Sequence, residues 1–419
     1  MFLKLINCLY VGETVFCDTG DFFKFPLGEK RSMEMCCNDD HLQVCREVEF
    51  EPRELSKGNM RFNGIDFTFS NEVQPHGFVY KNKFGDEAII DFHEKTGNLF
   101  GSINTHDGHS YAVEKCKAGH IWKEFDTSSF EKNLPIRVSN ANRFSKREVP
   151  QLSQDRTTIK TYSIMVYYTP EFASVTEDIE GWVDLVLEEA NQGYINSNIP
   201  VRVEKFCIEA ATIGDKESHP EIFRMMKGSP TATRNTADAA VLFSVGCPPD
   251  DCWCGVAWIP SPLDGDWTFS VTRKSCALGA YTFGHELGHN FQCHHNIEQD
   301  KNYIHSYGHG HLIAAGKGVQ GSTTILAYTR RGHGTRANYY SDPDQTYPPT
   351  GTPLGVKGVS DNVRVITDNR FAFAAIGDES GECKDKRSEG SNTLIWTKPI
   401  TTRSKALYVC RVDAKIQYV

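Results

Sequence analysis

The sequence predicts an α/β (α+β) unit built on a mixed, twisted sheet, preceded by a small β-rich unit. Three observations carry this. Beyond residue 158 the apolar pattern runs strand, helix, strand, strand, helix, the order of an α/β layer with at least one covered face. Before residue 145, short β-prone runs are broken by turn signals at intervals of roughly ten residues. A polar stretch, residues 139–158, ends the first unit.

In the first unit, Phe84-Gly85-Asp86-Glu87 reads as a turn before Ala88-Ile89-Ile90. Thr96-Gly97-Asn98 reads as another before Leu99-Phe100-Gly101, and Asp107-Gly108 as a third. Residues 79–91 alternate poorly between apolar and polar. After the polar stretch, residues 161–169 are β-branched and aromatic, a buried strand that Pro170 ends. Residues 180–191 place Trp182, Val183, Val186, Leu187 and Ala190 at helical spacing with acids between them. Residues 200–209 and 237–245 read as further strands, and 282–292 as a helix.

Composition narrows the classes. Hydrophobic residues make up 39% and charged residues 24%, enough apolar content for a packed core. The net charge of −9 is dispersed and no long basic stripe occurs, which argues against nucleic acid as a partner. No run approaches the ~18 apolar residues of a membrane span. The 14 cysteines, from Cys8 to Cys410, point to disulfides and so to a secreted, extracellular protein. Residues 2–11 are apolar but interrupted by Lys4 and Asn7, an imperfect signal-peptide pattern.

The chemistry lies in His285-Glu286-Leu287-Gly288-His289-Asn290-Phe291-Gln292-Cys293-His294-His295. On a helix, His285 and His289 leave one face a turn apart, the separation that two ligands of one zinc ion require. Glu286 lies beside them, placed to take a proton from an attacking water. His295 lies past the helix end and supplies a third nitrogen by swinging back. Three neutral nitrogens leave one position open, as in a catalytic rather than a structural site.

The motif resembles the metzincin signature H-E-x-x-H-x-x-G-x-x-H, followed by a Met-turn. Ser270–Ala277 by number (270–277), Tyr281-Thr282-Phe283-Gly284, and Ser322-Thr323-Thr324-Ile325-Leu326-Ala327-Tyr328 are similar to reprolysin-like (adamalysin/ADAM-type) catalytic domains. The similarity spans residues 161–376, and the first unit resembles, more faintly, a reprolysin-type propeptide. The resemblance implies a metzincin-like fold with an active-site helix and a zinc-dependent metalloendopeptidase. Its metal would be held by His285, His289 and His295, with Glu286 as general base. It implies a structural calcium as well, whose ligands the sequence does not place. Three positions depart from the pattern: Gln292 stands for the turn glycine, Leu326 for the Met-turn methionine, and Asn296 for an Asp. A non-glycine residue in the left-handed turn costs on the order of 1 kcal/mol, and Leu serves as an apolar floor by volume. Tyr328, two residues past Leu326, is a candidate transition-state stabiliser, as in the astacin and serralysin branches, but the stronger reprolysin resemblance favours a buried structural role.

The expected organisation is a propeptide or prodomain at 1–147, a metallopeptidase domain at 148–378 and a short tail at 379–419. The pair Lys146-Arg147 marks a candidate processing site. Cys116 is a candidate inhibitory thiol for the open metal position, but the first unit's even count of six cysteines favours a disulfide. The other eight cysteines could all pair. His305, His309 and His311 read as a glycine-rich surface loop rather than a second metal site. Substrates would be proteins or peptides and the protein a monomer. A catalytically inactive relative that binds a partner is the alternative.

Overall fold

The computed structural model describes strands at 8–11, 14–17 and 23–24, Cys37, and residues 42–125, 157–215, 237–246, 253–328 and 333–377, apart from positions 51–58, 63–64, 94–95, 117–118, 212, 262, 264, 266 and 302. Most of the polar stretch, the site near Arg147, the tail 379–419, and Cys247, Cys252, Cys383 and Cys410 lie outside the described residues.

Strands β1 (Cys8–Val11) and β2 (Thr14–Cys17) pair with each other. The next nine are β3 (Phe23–Lys24), β4 (Leu42–Phe50), β5 (Asn59–Phe62), β6 (Ile65–Val73), β7 (Gly77–Lys81), β8 (Glu87–His93), β9 (Asn98–Asn104), β10 (Ser110–Cys116) and β11 (Gly119–Phe125). They form one sheet in the order β3-β4-β11-β10-β9-β8-β7-β6-β5. The expected turns at 84–87, 96–98 and 107–108 fall between its strands. The poor alternation at 79–91 has a plain cause, because β8 and β9 are buried on both faces. On β9, Leu99 and Ile103 join the unit's own core with Ile90 and Trp122. Phe100 points the other way, into the core of the second unit.

The second unit is an α/β layer. Its strands are β12 (Lys160–Tyr168), β13 (Val201–Ala210), β14 (Ala239–Ser244), β15 (Gly255–Ala257) and β16 (Phe269–Arg273), in the order β13-β12-β14-β16-β15. The sheet is mixed: β15 runs antiparallel to β16 at one edge, and the other pairings are parallel. Among the described residues its helices are α1 (Pro170–Ser174), α2 (Ile179–Asn196), α3 (Lys274–Ala277), α4 (Thr282–Asn290) and α5 (Asn362–Phe373).

Helix α2 joins the two units. Asp178 caps it, its carboxylate accepting from the Gly181 amide at 3.0 Å. One face carries Trp182, Val183, Val186 and Ala190 into a core with Phe172, Phe243 and Phe283. The opposite stripe meets the β-rich unit. Phe100 lies against Gly181, so closely that a Cβ there would sit 2.2 Å from the ring. Glu188 accepts from the His76 amide at 2.8 Å, Glu189 from Ser102 Oγ at 2.7 Å, and Gln192 from Asn71 at 2.9 Å. A buried ion cluster closes the junction. Glu114 on β10 accepts from Lys123 at 3.2 Å and from Lys274 of α3. Burial alone would raise the Glu114 carboxyl, but the two ammonium groups hold it at about 2.

Glu189 behaves in the opposite way. Burial raises its carboxyl to about 7, against hydrogen bonds from Ser102 and the Gly279 amide that pull it down. The folded state therefore favours the protonated form. That contribution is full below the unfolded value near 4.5 and is lost as pH rises through about 7. Glu189→Gln should flatten the fall in unfolding free energy between pH 5 and pH 8 by a few kcal/mol, an order-of-magnitude figure. Urea denaturation of both proteins across that range checks it, and parallel pH profiles would refute it.

Candidate active site

Helix α4 is buried along its whole length. Asn290 ties its end to the sheet edge, donating to the carbonyls of Trp258 at 2.9 Å and Phe269 at 3.2 Å. The helix stops two residues before the expected end. Gln292 adopts φ 74°, the left-handed conformation. The Cys293 amide bonds the Gly288 carbonyl at 2.9 Å and the Gln292 amide bonds the His289 carbonyl at 2.8 Å. That is a Schellman termination with glutamine in the usual glycine place. Its side chain holds the turn. Nε2 donates to the Pro260 carbonyl at 2.7 Å, and Oε1 accepts from His305 at 3.0 Å and Asn369 at 3.1 Å.

The turn brings His295 back to the helix. The Nε2 atoms of His285, His289 and His295 lie 2.9, 3.1 and 3.2 Å from one another. Every Nδ1 faces an acceptor. His285 donates to the Ile325 carbonyl at 2.7 Å and His289 to the Cys293 carbonyl at 2.9 Å. His295 Nδ1 stands 3.4 Å from Asp300. With the protons on Nδ1, three Nε2 lone pairs point at one spot. Four-coordinate zinc with bonds of about 2.0–2.1 Å implies ligand separations of roughly 3.3 Å, so these donors fit the ion. Burial lowers all three imidazole pKa values, which keeps them in the neutral, ligating form.

His294 turns away. Its Nδ1 lies 3.2 Å from Asp300 and its Nε2 accepts from the Ile304 amide at 3.2 Å. Asp300 thus braces both adjacent histidines. Nothing in the sequence marked it, since an acid five residues past a histidine follows no helical or strand period.

Leu326 lies directly beneath the helix. A Cβ at Gly288 would sit 2.6 Å from its Cδ2, so the close approach requires glycine. Asn296 accepts from the Tyr328 amide at 3.1 Å, and the Tyr328 ring stands 4.2 Å from that of His295. Glu286 is buried beside the edge strand, where a Cβ on Gly255 would lie 2.5 Å from its Oε1. Burial pushes the Glu286 carboxyl up to about 8, while the charge of Arg336 draws it down. Arg336 is a second residue the sequence did not reveal. It lies on the strand His333–Arg336, beyond the motif, where a lone basic residue carries no signal.

Several expectations are corrected. Cys116 is disulfide-bonded, with its partner outside the described residues, so it offers no free thiol to a metal. The eight later cysteines do not all pair: Cys254 bonds Cys276, whereas Cys293 is a buried free thiol. The His305–His311 stretch is not a mere surface loop. His309 is fully buried and donates to the His295 carbonyl at 2.8 Å. Among the described residues, His285, His289 and His295 form the one metal-capable group of His, Cys, Asp or Glu, so the calcium expectation gains no carboxylate cluster.

Residues 158–341 match the family model Reprolysin_5, Metallo-peptidase family M12. A peptidyl-Asp metalloendopeptidase of Stenotrophomonas maltophilia (strain K279a) is 28% identical over 297 residues, covering 66% of this chain and 68% of that protein. A peptidyl-Asp metalloendopeptidase of Xanthomonas campestris pv. campestris is 30% identical over 208 residues, 47% of each chain. Metalloproteinase-II from Bacteroides fragilis aligns at TM-score 0.35 and 12% identity, covering 59% of this chain and 78% of that one.

Gln292 supports a direct test of the turn. Gln292→Gly relieves about 1 kcal/mol of left-handed strain but removes three hydrogen bonds worth about 1 kcal/mol each, a net loss of roughly 2. Gln292→Ala keeps the strain and should lose roughly 3 kcal/mol. Chemical denaturation measures both, and a Gly variant more stable than the parent would show that the side-chain bonds contribute little.

Proposed function

Since the chain is a metzincin-like zinc metalloendopeptidase with an M12-type domain, we propose that it is a secreted proenzyme whose ligands are His285, His289 and His295 and whose base is Glu286. The observation that carries this is the convergence of three Nε2 atoms with one buried carboxylate beside them. When bound, zinc supplies a Lewis acid that acidifies water and polarises the scissile carbonyl. Glu286 takes the proton of the attacking water and passes it to the leaving amine. Its carboxylate sits against Gly255 of the edge strand, so substrate backbone reaches it along that strand. Tyr328, kept neutral by burial, donates its hydroxyl to the developing oxyanion. His309 and Asp300 fix the loop that bears His295.

Residues 1–147 act as the prodomain, 148–378 as the catalytic domain and 379–419 as a tail. The polar stripe of α2 supports this division. Glu188, Glu189 and Gln192 would meet water once the β-rich unit leaves, so the freed face stays soluble. The disulfides Cys37–Cys45 and Cys254–Cys276 support an oxidising, extracellular setting. No described helix is long and apolar enough to cross a membrane. The protein acts as a monomer on protein substrates. The name shared by its relatives suggests bonds at aspartate as its targets.

In the full chain, cleaved within the polar stretch, Glu286→Gln should bind one zinc as the parent does yet lose at least about 10³-fold in kcat/KM. Tyr328→Phe should lose about 10–100-fold, mainly in kcat. Zinc analysis with hydrolysis of a protein substrate decides: a Glu286→Gln variant as active as the parent sinks the assignment.

A further inference from the structure

We infer that Arg336 is the residue that recognises an acidic side chain of the substrate beside the scissile bond, an inference that rests on the endopeptidase reading above. Two segments of the site clamp its guanidinium. Nη1 donates to the carbonyl of Ala280, just before helix α4, at 2.9 Å, and Nε donates to the carbonyl of Ala327, next to Tyr328, at 3.4 Å. A guanidinium has five N–H donors in a rigid plane, so this clamp leaves three of them to aim elsewhere. Among the described residues no carboxylate lies within ion-pair distance of it. Its charge reaches Glu286 and Tyr328, the two side chains assigned to the chemistry, and also His285 and His295.

Arg336 is also one of the residues that line a cavity of about 150 Å³, with Tyr281, Ser322, Asn338, Tyr339 and Tyr347. That lining is aromatic and polar, with room for a short side chain. The carboxylate in the cavity wall is Glu87, on the β-rich unit, and it is taken up by Lys81 at 3.3 Å, Asn196 at 2.9 Å and Asn338 at 3.0 Å. The β7–β8 turn, through Asn82, Lys83 and Gly85, closes the cavity on that side. Departure of the β-rich unit would therefore remove Glu87 and open the cavity toward Arg336 together.

A half-buried guanidinium that makes two carbonyl bonds and no close ion pair is only partly satisfied. A carboxylate entering the cavity completes it, with paired N–H···O bonds that a neutral amide of the same shape cannot match. The site then discriminates aspartate from asparagine, since the wrong side chain leaves the guanidinium unpaired.

The test uses the full chain cleaved within the polar stretch and peptides that differ in one residue at the scissile bond: Asp, Asn or Leu. The parent should cleave the Asp peptide at least about 100-fold better than the Asn peptide, by kcat/KM. Arg336→Met should abolish the Asp preference, the Asp-to-Asn ratio of kcat/KM falling from at least about 100 to about 1, whatever the variant's rate on either peptide. Arg336→Lys should restore part of the preference. A second arm measures affinity for the same peptides on the Glu286→Gln background, where nothing is hydrolysed. Loss of the Asp preference in binding with Arg336→Met supports the assignment even if the parent proves inactive, a result that would count against the endopeptidase reading alone. Equal affinity for Asp and Asn peptides with Arg336 present overturns it. So does an Arg336→Met variant that keeps the parent's Asp-to-Asn ratio, because the Arg336 side chain would then play no part in the discrimination.

Discussion

Three imidazole lone pairs held about 3 Å apart repel one another unless a cation lies between them, and the structure around the site exists to enforce that arrangement. Each ring is fixed from behind. The Ile325 and Cys293 carbonyls and the Asp300 carboxylate occupy the Nδ1 sides, so no ring can relax by flipping. These acceptors come from three separate segments. The segment holding Ile325 depends on Leu326 packed against Gly288, and the loop bearing His295 depends on the left-handed Gln292 and on His309. Metal geometry is thus a property of the packed core and not of one helix.

Helix α2 shows how the same core reaches the N-terminal unit. Its apolar side is shared with the sheet and with α4, and its polar side is satisfied by Ser102, Asn71 and the His76 amide. Carboxylates at the junction of the two units are buried in opposite ways. Glu114 is ion-paired and stays charged, whereas Glu189 receives only neutral donors and favours its protonated form. A junction that mixes Phe100 with such groups can be tight and still leave a surface that tolerates water when opened.

Legibility in the sequence followed the number of buried faces. The strand near 161–169 and the α2 periodicity were readable because each has a strong local pattern, and the structure places them at Lys160–Tyr168 and Ile179–Asn196. Strand β8, buried on both sides over Glu87–Asp91, carries no alternation, so residues 79–91 looked irregular. The histidine motif was readable because a helix fixes the i, i+4 geometry. Asp300 and Arg336 were not, because their roles depend on where distant segments meet. For Cys116 the even cysteine count favoured a disulfide over an inhibitory thiol, and the structure has it disulfide-bonded, though its partner is a matter of tertiary distance that counts do not supply.

The placement of Arg336 bears on how Glu286 would serve as the base proposed above. A carboxylate as buried as Glu286 would hold its proton too firmly to accept one from water in a useful range, and burial alone drives it that way. A nearby cation works against that and keeps the ionised form within reach. Too strong a pairing would overshoot, leaving a carboxylate too weakly basic to act. Arg336 avoids this by bonding to the Ala280 and Ala327 carbonyls rather than to Glu286, so its charge is felt while its hydrogen bonds go elsewhere.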